Sequence, residues 1–254
     1  MIKKIFLFFL FFLGFLTRLY KINSPLADWH SWRQADTAAV ARNFVKNGYD
    51  LLHPRFDDLS NVASGKDNPL GYRFVEFPVY NVAHALFFQA TERLVSFEVA
   101  GRLVTIFSSL ISAFFLYLIV KNLLSEWLGI LAAGFYLFLP FSIFYSRVIL
   151  PDQTMLMFTL GSVCFLYFWR RQKEGGKNNQ IIFAISLLMS ALAILTKPYA
   201  LFLLFPSWLV IFKPKDFVWA SFYIFFSFLP FVLWRIWMRQ FPEGIPANQW
   251  LFNL

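Results

Sequence analysis

Long apolar runs separated by short charged loops give this chain its outline. Residues 5–20, 99–120, 127–145, 155–169 and 217–238 are apolar stretches of membrane-crossing length or close to it. A helical span needs about 20 apolar residues, with roughly 17–25 tolerated. Residues 181–212 are too many for one span and carry Lys197-Pro198 in their middle, so the pattern predicts two short spans meeting there. The expected fold is an all-α integral membrane protein, a multi-span bundle of about seven transmembrane helices.

Residues 79–96 follow a different pattern. Val79, Val82, Ala83, Leu86, Phe87 and Ala90 recur at helical spacing, while Asn81, His84, Gln89, Glu92 and Arg93 interrupt them. Such a helix either spans or lies flat in the interface. Laid flat, it leaves Lys3-Lys4, the 121–126 loop, the Arg170-to-Lys177 loop and Lys213-Pro214-Lys215 on one side. Cytoplasmic loops carry an excess of Lys and Arg, so this arrangement is preferred and the N-terminus is expected in the cytoplasm. Residues 22–98 then form one external loop with two juxtamembrane helices. The 146–152 turn, the Lys197-Pro198 turn and the stretch after Arg239 share that outer side. The polar section 57–72 reads as a mobile external loop. The 254 residues read as one transmembrane domain, the amino-terminal part of a longer protein.

Composition agrees. The chain is 59% hydrophobic and 21% aromatic with only 15% charged residues, which excludes an ordinary soluble domain. Its net charge of +9 would point to nucleic acid in a soluble protein. Here the bases sit in loops between spans, so no nucleic-acid partner is expected. The single cysteine, Cys164, lies in an apolar run and allows no intramolecular disulfide. The first apolar run follows Lys3 and Lys4 and lacks a small-residue cleavage site, which fits an uncleaved signal anchor.

Candidate chemistry gathers on the outer side. The stretch Asp28-Trp29-His30-Ser31-Trp32-Arg33-Gln34-Ala35-Asp36 follows the first span. If it is helical from Trp29 onward, Trp29, Arg33, Asp36 and Val40 share a face. A plain alternative is that Arg33 and Asp36 only pair with each other. Arg73, Glu76 and His84 form a second group, Tyr145 to Asp152 with Arg147 a third, and Lys197 with Tyr199 a fourth. Asp152 also suits a helix N-cap, and capping and catalysis are compatible. Together the groups suit a phosphate-bearing lipid, because Arg and Lys bind phosphate oxygens and a carboxylate can take a proton from an incoming hydroxyl. His30, His53 and His84 are scattered, so no metal site is predicted. No cofactor is expected; a divalent cation is allowed but not indicated. There is no Gly-rich phosphate loop, so the donor is not expected to be a nucleotide. A transporter or flippase for a lipid-linked sugar, or a non-catalytic scaffold, would share the basic, aromatic outer surface. Transporters tend to place polar groups at the midplane, whereas these charges crowd one surface.

Four places resemble the membrane glycosyltransferases of the GT-C superfamily. They are closest to the family-39-like branch with protein O-mannosyltransferases, lipid A aminoarabinose transferases and lipopolysaccharide-core galacturonic-acid transferases. Residues Trp32 to Asn43 are similar to that group's first external helix. Glu76-Phe77-Pro78-Val79-Tyr80-Asn81 resembles its Glu-Lys-Pro-Pro-Leu-Tyr stretch. Tyr145-Ser146-Arg147-Val148-Ile149-Leu150-Pro151-Asp152 is close to its Tyr-Ser-Arg-x-x-x-Pro-Asp turn, the most specific of the four. Leu195-Thr196-Lys197-Pro198 resembles its Thr-Lys-Gly-Pro turn. The resemblance implies an inverting enzyme of the cell envelope, in a bacterial inner membrane. It would take sugar from a polyprenyl-phosphate donor and pass it to a lipid, glycan or protein acceptor outside the cytoplasm. It also implies that Asp152 and Arg147 border the active site and that Lys197 faces the donor phosphate. Arg33 and Gln34 stand where relatives carry an acidic pair, so the general base is assigned to Asp36, with Asp28 in reserve. Phe77 stands where many relatives have a phosphate-binding lysine, a role left to Arg33 or Arg73. Arg33, Arg147 and Lys197 are expected to neutralise the leaving phosphate, and Arg73, Glu76 and His30 to complete the binding surface. Trp29 and Trp32 suit interfacial anchoring more than sugar stacking.

Overall fold

A computed structural model describes residues 2–26, 30–177 and 179–247; Asp28 and Trp29 lie outside the described residues. Among the described residues there is no strand, and helices dominate. In order they are α1 (Ile2–Arg18), α2 (Ser31–Asn47), α3 (Val79–Thr91), α4 (Phe97–Leu123), α5 (Glu126–Phe138), α6 (Pro140–Tyr145), α7 (Asp152–Glu174), α8 (Gln180–Thr196), α9 (Leu201–Ile211) and α10 (Phe217–Met238).

Local chemistry sets the boundaries. Ser96 and Ser125 cap α4 and α5 by accepting the Val99 and Leu128 amides at 3.3 Å each, and Asn179 caps α8 by accepting those of Ile181 and Ile182. Side-chain oxygens at these positions satisfy amides that have no partner inside the helix. Gly48 ends α2 at φ 90°, a left-handed value that suits glycine. The expected break at Lys197-Pro198 is present. Lys197 is extended, as the residue before a proline prefers, and a short 3-10 turn, Pro198–Ala200, leads into α9. A second break was not anticipated. The apolar run 127–145 divides at Leu139, because Pro140 has no amide to continue α5.

Hydroxyl pairs bridge helices in the interior, beside large buried side chains such as Trp169, Phe183 and Trp208. Ser108 meets Thr154 at 3.1 Å between α4 and α7, and Tyr223 of α10 meets Ser162 and Ser186 at 2.8 and 2.7 Å. Membrane helices pack through such small residues and interhelical hydroxyl bonds. Large apolar side chains also cover the outside, among them Phe8, Phe135, Phe202 and Val210. Of the described helices, two stretches, Phe97–Leu123 and Pro214–Met238, are long and apolar enough to cross a membrane; Glu126–Phe138, Gln180–Thr196 and Pro198–Ile211 are apolar but shorter. At about 1.5 Å per residue, the 13 residues of α3 reach only about 20 Å, short of a bilayer's ~30 Å core.

The alternation of helices gives the bundle two chemically distinct ends. α7 runs for about 34 Å from Asp152 to Glu174. α8 returns to Lys197, and α10 departs from Asp216. The four basic segments meet at the end where α7 stops. Lys3 and Lys121 pair with Glu126, Arg171 reaches Asn122 at 3.4 Å, and Arg170 and Lys173 pair with Asp216. At the other end α2, α3 and the 48–78 segment close over α4 and α8. Residues 57–72 are irregular, with hydrogen bonds fastening their far end. Asn68 brackets Tyr72 with two hydrogen bonds, the Phe56 amide donates to the Gly71 carbonyl at 2.8 Å, and the Ala247 amide donates to Ala63.

Candidate active site

The end covered by α2 and α3 holds a small, partly open cleft, lined in part by Arg33, Asp36, Arg73, Glu76, Asn81 and Pro151. α2 supplies the cleft's floor. Arg33, Asp36, Thr37 and Val40 line it together, the shared face expected from helical spacing. Arg33 and Asp36 do not pair with each other. Arg33 pairs with both carboxylate oxygens of Glu76, and Asp36 with Arg73 at 2.7 Å. The reason is reach. The irregular 73–76 segment lays a cation and an acid across the cleft, each opposite its complement.

The network continues into the bundle. Lys197 lies 4.0 Å from Glu76 and donates to both oxygens of Asp152 at 2.9 Å. Asp152 is therefore not the cap of α7. It is the helix's first residue, its side chain turned to Lys197, and Pro151 precedes it without a side-chain cap. The break before Pro198 aims Lys197 at this point. Six residues expected in the site thus converge: Arg33, Asp36, Arg73, Glu76, Asp152 and Lys197. They contribute three cations and three carboxylates.

Electrostatics differ across the cleft. Burial pushes the Asp36 carboxyl above its ordinary 3.8, and the nearby Arg73 and Arg33 only partly offset it. Burial also lowers Arg73, in part against the pull of Asp36. For Arg33 burial acts downward too, but Glu76, Asp36 and Asp152 outweigh it and its pKa rises. The buried Nε of Arg73 has no hydrogen-bond partner, so this guanidinium keeps a donor unspent beside the cleft.

Two expected residues stand apart. Arg147 donates to the Tyr20 carbonyl at the end of α1 and lies over the Tyr20 and Phe144 rings at 5.6 and 5.7 Å. His30 is exposed in the left-handed region, φ 59°, just before α2. Trp32 is 64% exposed and does not line the cleft, as an anchor would be. His84 is buried against α4 and stacks on Phe97 at 4.2 Å. Its Nε2 donates to the Phe97 carbonyl, and burial pushes its pKa down to about 4. A Cβ on Gly101 would come within 2.6 Å of that ring, so glycine is what lets α3 and α4 close. Phe77 packs edge-on against Trp234 at 5.7 Å, an apolar prop beside the charged cleft.

Some positioning residues were not anticipated. Gln34, fully buried, accepts the Ile149 amide at 3.0 Å and so ties α2 to the turn that delivers Asp152. Asn81 donates to the Thr37 carbonyl at 2.7 Å and ties α3 to α2. Arg102 donates to the carbonyls of Ser24 and Pro25, and buried Arg18 to those of Gly14 and Leu137. An arginine inside an apolar run is itself a signal of such a role.

Residues 78–234, well over half of the chain, match the sequence model of the dolichyl-phosphate-mannose-protein mannosyltransferase family. The chain belongs to that family. Membership makes it a membrane glycosyltransferase of mannosyltransferase type and supports the GT-C superfamily. The matched region contains Arg147, Asp152 and Lys197 and starts two residues after Glu76, so Arg33, Asp36, Arg73 and Glu76 lie outside it. Curated proteins and solved structures yielded no match.

Proposed function

We propose that this mannosyltransferase-family protein moves a sugar from a polyprenyl-phosphate donor to a hydroxyl of a lipid, glycan or protein, on the side of the membrane opposite its basic loops. The observation that carries this reading is that Arg33, Asp36, Arg73 and Glu76 line one cleft and that Lys197 and Asp152 join Glu76 at its edge, four separate parts of the chain meeting in one charged cluster. In the proposed topology α1, α4, α5 with α6, α7, α8, α9 and α10 make seven crossings, and α2 and α3 lie over the outer end. The meeting of four basic segments at the other end supports that orientation.

Asp36 acts as the base. It takes the proton as the acceptor oxygen bonds to the anomeric carbon, the bond from that carbon to the phosphate oxygen breaks, and its electron pair leaves with the polyprenyl phosphate. The new bond forms opposite the old one, so the centre inverts. Arg33 and Lys197 meet the charge that develops on the leaving phosphate. Their present partners, Glu76 and Asp152, hold them in place until the phosphate competes for them. Arg73 holds Asp36 in position. A carboxylate raised by burial suits a base, because catalytic groups work best with pKa values closer to the working pH.

Asp36→Asn tests this. With labelled polyprenyl-phosphate sugar, release of lipid phosphate should fall about 10²–10⁴-fold, the usual contribution of general base catalysis, while folding and membrane insertion persist. Transfer at the normal rate would remove Asp36 from the site.

A further inference from the structure

The opposite end of the bundle holds a second cavity, about 440 Å³ of space open to the surface, lined by Arg170, Lys173, Glu174, Lys215 and Asp216. With Lys213 beside it, paired to Glu174 at 2.6 Å, four cations face two carboxylates. Arg170 is buried, pairs with Asp216 and Glu174, and still has an Nη2 without a partner. Lys215 is exposed and makes no ion pair among the described residues. Lys173 lies over the rings of Trp169 and Trp219 at 4.8 and 5.3 Å. Directly next to Lys215 and Asp216, Phe217 and Val218 are 74% and 77% exposed and begin an apolar face that continues along α10 with Phe222 and Phe225. A net-positive pocket with an unused guanidinium donor, a tryptophan shelf and a bare apolar wall matches one kind of molecule: a charged phosphate head with acyl chains.

We infer that this cavity binds the headgroup phosphate of an anionic phospholipid, with the acyl chains along the Phe217 face of α10. The excess charge supplies the attraction. Arg170, already fixed by Asp216, supplies a planar donor for the phosphate oxygens. The site is separate from the transfer cleft, which lies at the far end of α7.

Native mass spectrometry of the full chain, released from detergent with added phosphatidylglycerol or phosphatidylcholine, tests it. One phosphatidylglycerol should be retained in preference to phosphatidylcholine. Lys215→Gln and Lys173→Gln should each weaken that binding about fivefold, the effect of one basic residue near an anionic lipid. Lys66→Gln, an exposed lysine on the other end, should leave it unchanged. Equal retention of the two lipids, or equal binding by all three variants, would overturn the proposal. So would full competition by glycerol phosphate at matched concentration, since the site would then recognise free phosphate rather than a lipid.

Discussion

The two ends of the bundle use the same ingredients to different ends. Each has guanidinium, ammonium and carboxylate groups in contact. At the loop end Asp216 is 1% exposed and takes three donors. Arg170, Lys173 and the Lys213 amide all donate to it, and it fastens the start of α10 to the end of α7. At the cleft end the carboxylates keep contact with solvent, Asp152 being 44% exposed. A buried carboxylate held by three donors is a lock. A half-exposed one with a single partner is exchangeable, and an incoming phosphate or hydroxyl can take its place. Ion pairing alone therefore says little about function; access and the number of donors separate a fastening from a site.

Asp216→Ala should have the largest effect on stability. It leaves buried Arg170 with only the half-exposed Glu174, and losing one partner of a buried pair costs about 3 kcal/mol, at the low end of the ~3–5 range. Thermal unfolding in detergent measures it. Sugar transfer per folded molecule should be unchanged; lost transfer at full folding would mean that the two ends are coupled through α7. Glu76→Gln should do the reverse. Arg33 and Lys197 lose the group that orients them, so transfer should fall about 10²-fold, the size of a small misplacement of catalytic groups. Unfolding should shift less than in Asp216→Ala, because a glutamine amide oxygen still accepts from Arg33 and the pair keeps some contact with water.

Much of this contrast was legible in the residues. Helical spacing placed Arg33, Asp36 and Val40 on one face, and Lys197-Pro198 announced its break, because both follow from local geometry. The grouping of basic loops at one end followed from counting spans. The partners of each charge were not legible. Arg33 lies as close in sequence to Asp36 as any salt bridge on a helix, yet Glu76, 43 residues away, holds it. Which pairing wins depends on where an extended segment crosses a helix, and no periodicity encodes that. Gln34 was passed over because an amide carries no chemistry of its own. Its burial and its bond to the Ile149 amide emerge only when the 146–152 turn is folded against α2. Pro140 was visible, and the length of the apolar run 127–145 outweighed it.

The pH dependence sharpens the contrast at the cleft. The folded pKa of Asp36 lies above 3.8, mainly through burial. A group raised in this way favours the folded state while protonated, below 3.8, and that contribution is lost as the pH rises through the folded value. Ionised Asp36 is thus a cost to folding at neutral pH, consistent with a functional group rather than a stabilising one. A base must be ionised, so the acid limb of the transfer rate should lie above the ordinary aspartate range. Arg73 is the strongest charge pulling that value down. Arg73→Gln should therefore move the limb upward, and a limb that stays in place would show that another group sets it.

The smallest effect belongs to Arg42 on the same helix. It pairs with Asp57, the two side chains being 43% and 54% exposed. Pairs this open are worth about 0–1 kcal/mol, because water competes for both charges. Arg42 lies six residues beyond Asp36 and does not line the cleft. Arg42→Gln should lower stability by no more than about 1 kcal/mol in denaturant unfolding and leave transfer intact. The variant isolates what α2 contributes through position: Arg33 and Arg42 carry the same group on the same helix, and only the first is turned toward a partner that a substrate can displace. If Arg42→Gln abolished transfer at normal stability, the substrate surface would extend along α2 past the cleft.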